Sequence, residues 1–554
     1  MGYLLPILLS LGSLVLDEFD GLPMRHWPLG VLALVSLPYL LAALEQQAAM
    51  RGSLRRAAWF SRLGQLAPVV LQYAAVGIFG WRASLEEWFQ ADLSVLIWPE
   101  PGMLLVLAPF LFYTLAAIDA EARIASPGPE RRSQLRSFQL RMLCAGLGPV
   151  VGYILLATLV GRWEVLRILI EQVSLWSLAF TLALGFTFVL ALPRFLRATW
   201  ETEPLPVGPQ RELLEGVARL AGFRCRELLV WKTGNLMSNA AIVGLLARGR
   251  RVFFTDELLR RMGPRQLAAV FAHEIGHARR HHVPIFIVWA LAFFSVLDAL
   301  LAWIAFDDQL LELSVLAGAL VAWLLGFGWI SRRAELEADL FCLELLSDGT
   351  GIKSALQSAA PASHSRTGWR HFSTRQRIEF LDRAAEDPAV GTRLRRQVRV
   401  TAVAGALLLA ITGTWRLAQL VGDYPVERTL VDLRQGHYAQ AQERLWSWES
   451  EEESEQARAL AELVRLTGSG ALGDFDRREA AAARCAELAA TGLTSGELDR
   501  ALGWLRLGGL AGDEVAGRAA EALAGVAEGV DFGPLPGVDL GPWTEALTRA
   551  LTDP

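Results

Sequence analysis

Nine apolar stretches, each near the length that crosses a lipid bilayer, leave this chain few folds to choose from. A membrane helix needs about twenty residues. Such stretches lie near Tyr3–Leu16, Pro28–Leu44, Leu66–Trp81, Met103–Ala117, Met142–Val160, Leu175–Leu192, Val283–Phe306, Leu311–Ile330 and Val400–Val421. They explain why the 554 residues are 53% hydrophobic and only 20% charged, too apolar for a soluble protein of this length. The expected fold class is mainly α: a polytopic helical membrane protein. The first stretch is short and reads as a retained span or a signal peptide. It lacks a basic start and a clear small-residue cleavage site, which favours the span.

Charge in the loops orients the spans. Arg51–Arg62 and Arg123–Arg141 are rich in arginine, whereas the alternate loops Asp17–Asp20, Glu86–Asp92 and Asp307–Glu312 are acidic. Lys and Arg collect on the cytoplasmic side of short loops. With the amino terminus inside, Arg194–His282 and Ser331–Arg399 then face the cytoplasm, and the carboxyl tail emerges on the opposite side. The expected domains are a six-span region at 1–193 and a segment at 194–399 interrupted by a membrane hairpin at 283–330. A ninth span at 400–421 and a tail at 422–554 follow.

The first cytoplasmic segment begins with a Pro-containing linker, Glu203-Pro204-Leu205-Pro206, and an amphipathic helix near Glu212–Ala221. Strand-like runs follow at Glu227–Trp231, Ala240–Leu245 and Arg251–Thr255, and Gly249 between the last two suggests a hairpin. The second segment reads as mostly helical, with a Gly/Ser/Pro-bearing loop from Ser347 to Trp369. In the tail, acids outnumber bases by about two to one. There Leu433–Ala441 resembles the first helix of a tetratricopeptide-like repeat, without repetition at a fixed period. A small helical interaction or sensor domain with a protein partner is the expectation. The four cysteines are scattered and form no CxxC pair, so neither a disulfide framework nor a cysteine zinc site is suggested. Nothing in the pattern calls for nucleic acid.

Chemistry concentrates in Leu267–His282, LAAVFAHEIGHARRHH. His273-Glu274-Ile275-Gly276-His277 is H-E-x-x-H. On a helix, residues four apart share a face, so both imidazoles reach one metal ion while Glu274 stands beside them as a proton acceptor. Gly263-Pro264 marks a helix start, and Leu267, Val270, Phe271 and Ile275 form its apolar stripe. After the hairpin comes Ser331-Arg332-Arg333-Ala334-Glu335-Leu336-Glu337-Ala338-Asp339. By composition this is an acid/base surface helix. By spacing, Glu335 and Asp339 share a face, so Glu335 can ligate while Asp339 orients a ligand histidine. Glu337 points elsewhere, towards solvent.

HEIGH, two membrane spans and then S-R-x-x-E-x-x-A-D resemble the membrane zinc metallopeptidases that include HtpX and the type I CAAX prenyl endopeptidases. The resemblance implies one Zn2+ per chain held by His273, His277 and Glu335, a zincin-like catalytic domain, and Glu274 as general base. Ser238-Asn239-Ala240-Ala241 is similar to the family's substrate-pairing strand, which implies substrate contacts at Asn239, Ala240 and Ala241. His371-Phe372-Ser373-Thr374-Arg375-Gln376-Arg377-Ile378 resembles a motif whose histidine would steady the oxyanion, implying that role for His371 and an ordering role on the site's acids for Arg377. Phe372 stands where the family has proline and Ala241 where it has an aromatic residue. The match runs from about Arg194 to Leu381 and leaves the tail out.

The activity implied is hydrolysis of peptide bonds in membrane-associated or misfolded polypeptides. The alternative is a signal-transducing protease regulated by its tail; a catalytically silent scaffold is a third reading, disfavoured by the intact ligand set. His281 and His282, with Arg279 and Arg280, read as a basic helix end facing lipid headgroups. Asp298 inside a span is either functional or simply hydrated near the outer end. His364 belongs to a solvated loop.

Overall fold

The computed structural model describes residues 3–11, 13, 27–89, 102–125, 128–303, 309–359 and 368–434, with a few isolated positions beyond. The acidic loop Asp17–Asp20, His364 and nearly all of the tail, including most of its repeat-like motif, lie outside the described residues. The amino-terminal part is helical: α1 (Leu4–Leu11), α2 (Trp27–Met50), α3 (Leu54–Gly77), α4 (Trp81–Phe89), α5 (Met103–Val106), α6 (Ala108–Ala125), α7 (Pro129–Gly161), α8 (Glu164–Gln172) and α9 (Ser174–Thr199). Then come β1 (Thr202–Pro204), α10 (Pro209–Leu220), β2 (Glu227–Trp231), β3 (Ala240–Val243), β4 (Arg251–Thr255), α11 (Asp256–Arg261) and α12 (Pro264–Arg279). The remainder is helical again, with α13 (His282–Trp303), α14 (Gln309–Leu346), α15 (Thr350–Ala359), α16 (Thr374–Glu386) and α17 (Pro388–Arg434).

Among the described residues, six helices are long and apolar enough to cross a membrane: α2, α7, α9, α13, α14 and α17. A seventh crossing arises if α3 and α4, bent by 58° at their break, count as one span. Nine spans were expected. Within the Tyr3–Leu16 stretch the described residues form the eight-residue α1, and the Met103–Ala117 stretch is interrupted at Leu107, between α5 and α6. That interruption frees backbone groups in an apolar setting, where water is not at hand to satisfy them. Gln72, fully buried on α3, takes over: its Nε2 donates to the Val106 carbonyl at 2.8 Å and its Oε1 accepts from the Phe110 amide at 3.1 Å.

The sheet has the order β1-β2-β4-β3, with β2 and β4 parallel and the two outer pairs antiparallel. The expected hairpin is present as β3–β4, with Ala240 opposite Phe254. Its turn needs Gly244, whose φ is +114° and whose absent Cβ would lie 3.0 Å from the Arg250 Cα. Alternation along the strands divides the sheet's side chains between two layers. Leu229, Trp231 and Phe253 pack on Phe138 and Met142 of α7 and on Leu196 of α9, beside Trp200, which stacks on Trp231 with centroids 3.8 Å apart. Val230, Val252 and Phe254 belong to the larger core with α10 and α12. The sheet is thereby fixed to two of the long apolar helices on one face and to the HEIGH helix on the other.

Two expectations are corrected. The segment Glu203–Pro206, read as a linker, begins inside β1, where Thr202 pairs with Trp231 and Pro204 with Leu229. An edge strand tolerates Pro204 because its outward side needs no donor. The loop from Ser347 to Trp369 contains a ten-residue helix, α15.

The chain divides into two compact units, residues 1–162 with 182–415, and residues 163–181 with 416 onward. Within the second, Ser174 donates through its amide and hydroxyl to Glu427, at 2.9 and 2.6 Å.

Candidate metal centre

Helix α12 starts where the sequence indicates. Pro264 occupies the first turn, where a missing N–H costs nothing, and the Gly263 amide donates to Gln266 Oε1 at 3.0 Å. Leu267, Phe271 and Ile275 are buried against Phe254, Leu340 and Leu381, with Val270 partly covered. The opposite face carries His273 and His277, one turn apart, with their Nε2 atoms 3.3 Å from each other.

The carboxylate arrives from α14. Its route depends on two small residues: a Cβ on Gly276 would stand 3.0 Å from the Ala338 Cα and 3.2 Å from its carbonyl oxygen. The helices therefore cross in near backbone contact, and Cys342 Sγ donates to the Ala269 carbonyl at 3.3 Å one turn further on. This closeness brings Glu335 Oε2 to 3.7 Å from His273 Nε2 and Glu335 Oε1 to 3.6 Å from His277 Nε2. One donor atom from each of the three residues lies within 4.8 Å of the others. Ligands held at about 2.1 Å by a tetrahedral ion sit about 3.4 Å apart. The observed separations suit such an ion with a small contraction.

Around these three, Asp339 is fully buried and its Oδ1 stands 2.9 Å from His273 Nδ1, though off the N–H direction. Arg377 on α16 grips the same carboxylate with both prongs, Nε to Oδ2 at 2.7 Å and Nη2 to Oδ1 at 2.6 Å, and its Nη1 is 3.5 Å from Glu335. The α16 amino end is set by Ser373, whose hydroxyl accepts from the Gln376 amide while Gln376 accepts from the Ser373 amide. His371 lies just before it, 55% exposed, with Nδ1 at 3.3 Å from Glu335 Oε2. Its loop is pinned to α14 by Trp369, whose Nε1 donates to the Leu324 carbonyl at 2.6 Å across Gly328.

Thus His273, His277, Glu335, Asp339, His371 and Arg377 converge. Asn239, Ala240 and Ala241 do not join them by any hydrogen bond among the described residues. Ala240 and Ala241 open β3, the edge strand that contacts α12, and Asn239 just before them has its backbone tied to Thr255 by bonds of 2.9 and 3.0 Å.

Burial sets the electrostatics. It pushes the Glu274 carboxyl up to about 7, helped by the charge of Glu335 and opposed by His273 and Arg377. It pulls His277 down to about 3, with His273 acting in the same direction. Burial also works against a proton on His273, but Asp339 outweighs it and the net direction is upward. Without a metal, His277 is therefore a neutral ring, ready to donate a lone pair, and Glu274 is a carboxyl poised near neutrality.

Two residues were misread from sequence. His282 is 1% exposed and does not face lipid headgroups, and the Glu337 side chain is 7% exposed instead of solvated. His282 Nδ1 is 2.8 Å from His277 Nδ1, and its Nε2 is 2.9 Å from Glu337 Oε2. The contact depends on His281, whose φ of +58° breaks the chain between α12 and α13 and turns His282 back. Spacing on a single helix gave no signal of that reversal.

Residues 210–385, from α10 through most of α16, match the family model described as Peptidase family M48. The CAAX prenyl protease 1 homolog of Arabidopsis thaliana is 27% identical over 200 residues. That match takes in 31% of this chain and 45% of the plant protein, so the chain spans less than half the length of this relative. Among solved structures, S. mikatae Ste24p aligns over 63% of this chain and 96% of that one, at 16% identity and a TM-score of 0.42.

Proposed function

We propose, from the premise that this chain carries a peptidase family M48 domain at residues 210–385, that it is an integral-membrane zinc endopeptidase. The observation that carries the reading is the meeting of His273, His277 and Glu335 from two helices separated by an apolar hairpin. Two imidazoles and one carboxylate are a donor set suited to catalytic zinc. When bound there, zinc supplies an activated water and polarises the scissile carbonyl.

The chain's own groups supply the rest. Glu274 takes the proton of the attacking water and passes it to the leaving amine, a task suited to a carboxyl held near 7. His371, exposed at the rim, donates to the oxyanion as it forms. Arg377 is a positioning residue: it holds Asp339, and Asp339 holds His273. The free edge of β3 pairs with an extended peptide through backbone hydrogen bonds, with Asn239, Ala240 and Ala241 along the contact. Substrates are membrane-associated or misfolded polypeptides. The arginine-rich loops support an active site facing the cytoplasm, with the tail from Gly422 on the other side.

The test is cleavage of casein and of a prenylated CAAX peptide, the substrate class that the plant relative's name suggests, by purified protein with zinc. Glu274→Gln is expected to lower turnover by roughly 10²–10⁴-fold; equal turnover overturns the reading. A second reading, a protease switched by its tail, draws on the grouping of residues 416 onward with 163–181 in a second unit. It requires that deleting 422–554 change the regulation of cleavage.

A further inference from the structure

We propose that His282 and Glu337 form a buried relay that fixes the tautomer and aim of His277, leaving its Nε2 free for the metal. The relay rests on the zinc reading above and adds two residues to it.

The argument is a count of protons. An ionised carboxylate only accepts hydrogen bonds, so the 2.9 Å contact between Glu337 Oε2 and His282 Nε2 needs a proton on that nitrogen. A His282 that bears only this one proton has a bare Nδ1. Its 2.8 Å partner, His277 Nδ1, must supply the single proton that lies between them. With Nδ1 protonated, His277 carries its lone pair on Nε2, the atom that faces His273 Nε2 at 3.3 Å and Glu335 Oε1 at 3.6 Å. The opposite tautomer would present an N–H to the metal.

Geometry explains why an intermediate ring is needed. Glu337 is two residues from Glu335, about 200° around the helix, and so points away from the ligand face. His282, turned back by the left-handed His281, spans the difference, with its ring centroid 4.9 Å from that of His277. Both relay side chains are buried, where hydrogen bonds hold a ring against no competition from water. Helix α14 then serves both ligand histidines, His273 directly through Asp339 and His277 through His282 from Glu337.

The experiment measures zinc affinity of the full-length protein by competition with a chromophoric chelator, and the visible spectrum of the Co2+-substituted form. Variants are His282→Phe, Glu337→Leu, the double variant, and His281→Asn as a neighbour that keeps the left-handed backbone. His282→Phe and Glu337→Leu are each expected to weaken zinc binding by roughly 10–100-fold and to alter the Co2+ spectrum. The double variant is expected to be no weaker than the worse single one, since one chain is broken twice. His281→Asn is expected to bind as the parent does. Parent-like affinity in His282→Phe overturns the relay. So does loss of metal-free melting in both single variants, which would make the pair a structural bond. A parent protein that takes up no zinc sinks the peptidase reading itself, a result distinct from a zinc-binding parent with unaffected variants.

Discussion

Glu274 shows how a single residue's surroundings set its chemistry. Burial holds its carboxyl near 7, so it is ionised above that pH and protonated below. A base must be ionised, so kcat/KM for peptide cleavage is expected to fall on the acid side, at a pH below about 7 because a zinc ion bound nearby favours the carboxylate. A profile flat down to about pH 5 would contradict this. Arg377 gives a second prediction. Removing it by Arg377→Met leaves Asp339 charged, fully buried and without its bidentate partner. The expected cost is about 3–5 kcal/mol, read as a lower melting temperature in detergent. At this scale His273, Glu274 and His277 were legible, because helical spacing alone places them together. Glu335 was legible through the resemblance. His282 and Glu337 were not, since their contact crosses a chain reversal that no periodicity encodes.

Between elements, the decisive contact is the crossing of α12 and α14. Gly276→Val puts a branched side chain against Ala338 backbone atoms that cannot move aside. A loss of about 1–3 kcal/mol is expected, together with weaker zinc binding as Glu335 is pushed from the histidines. Both are measurable, by thermal melting and by metal competition. In the helical bundle, Gln72→Leu strands the Val106 carbonyl and the Phe110 amide, at an expected cost of about 1–3 kcal/mol in detergent unfolding. The long helices and β2, β3 and β4 could be read from apolar runs and β-branched or aromatic content. Strand β1 was missed because three residues with a proline carry no alternation to recognise. Helix α15 was missed because its small polar residues look like a loop until they pack.

For the whole molecule, composition and loop charge indicated a membrane protein, and the six or seven long apolar helices among the described residues agree in kind with that expectation. Helix α14 has a consequence at this scale. It runs without interruption for 38 residues, roughly 57 Å, from its apolar end to Leu346, with Glu335 about seven-tenths of the way along. Lipid with longer or shorter tails changes the lean of such a rod by hydrophobic mismatch. On the zinc reading proposed above, a lever anchored in fat and carrying a ligand oxygen would convert membrane thickness into coordination geometry. Proteolysis in liposomes should accordingly peak at one acyl-chain length and decline on either side.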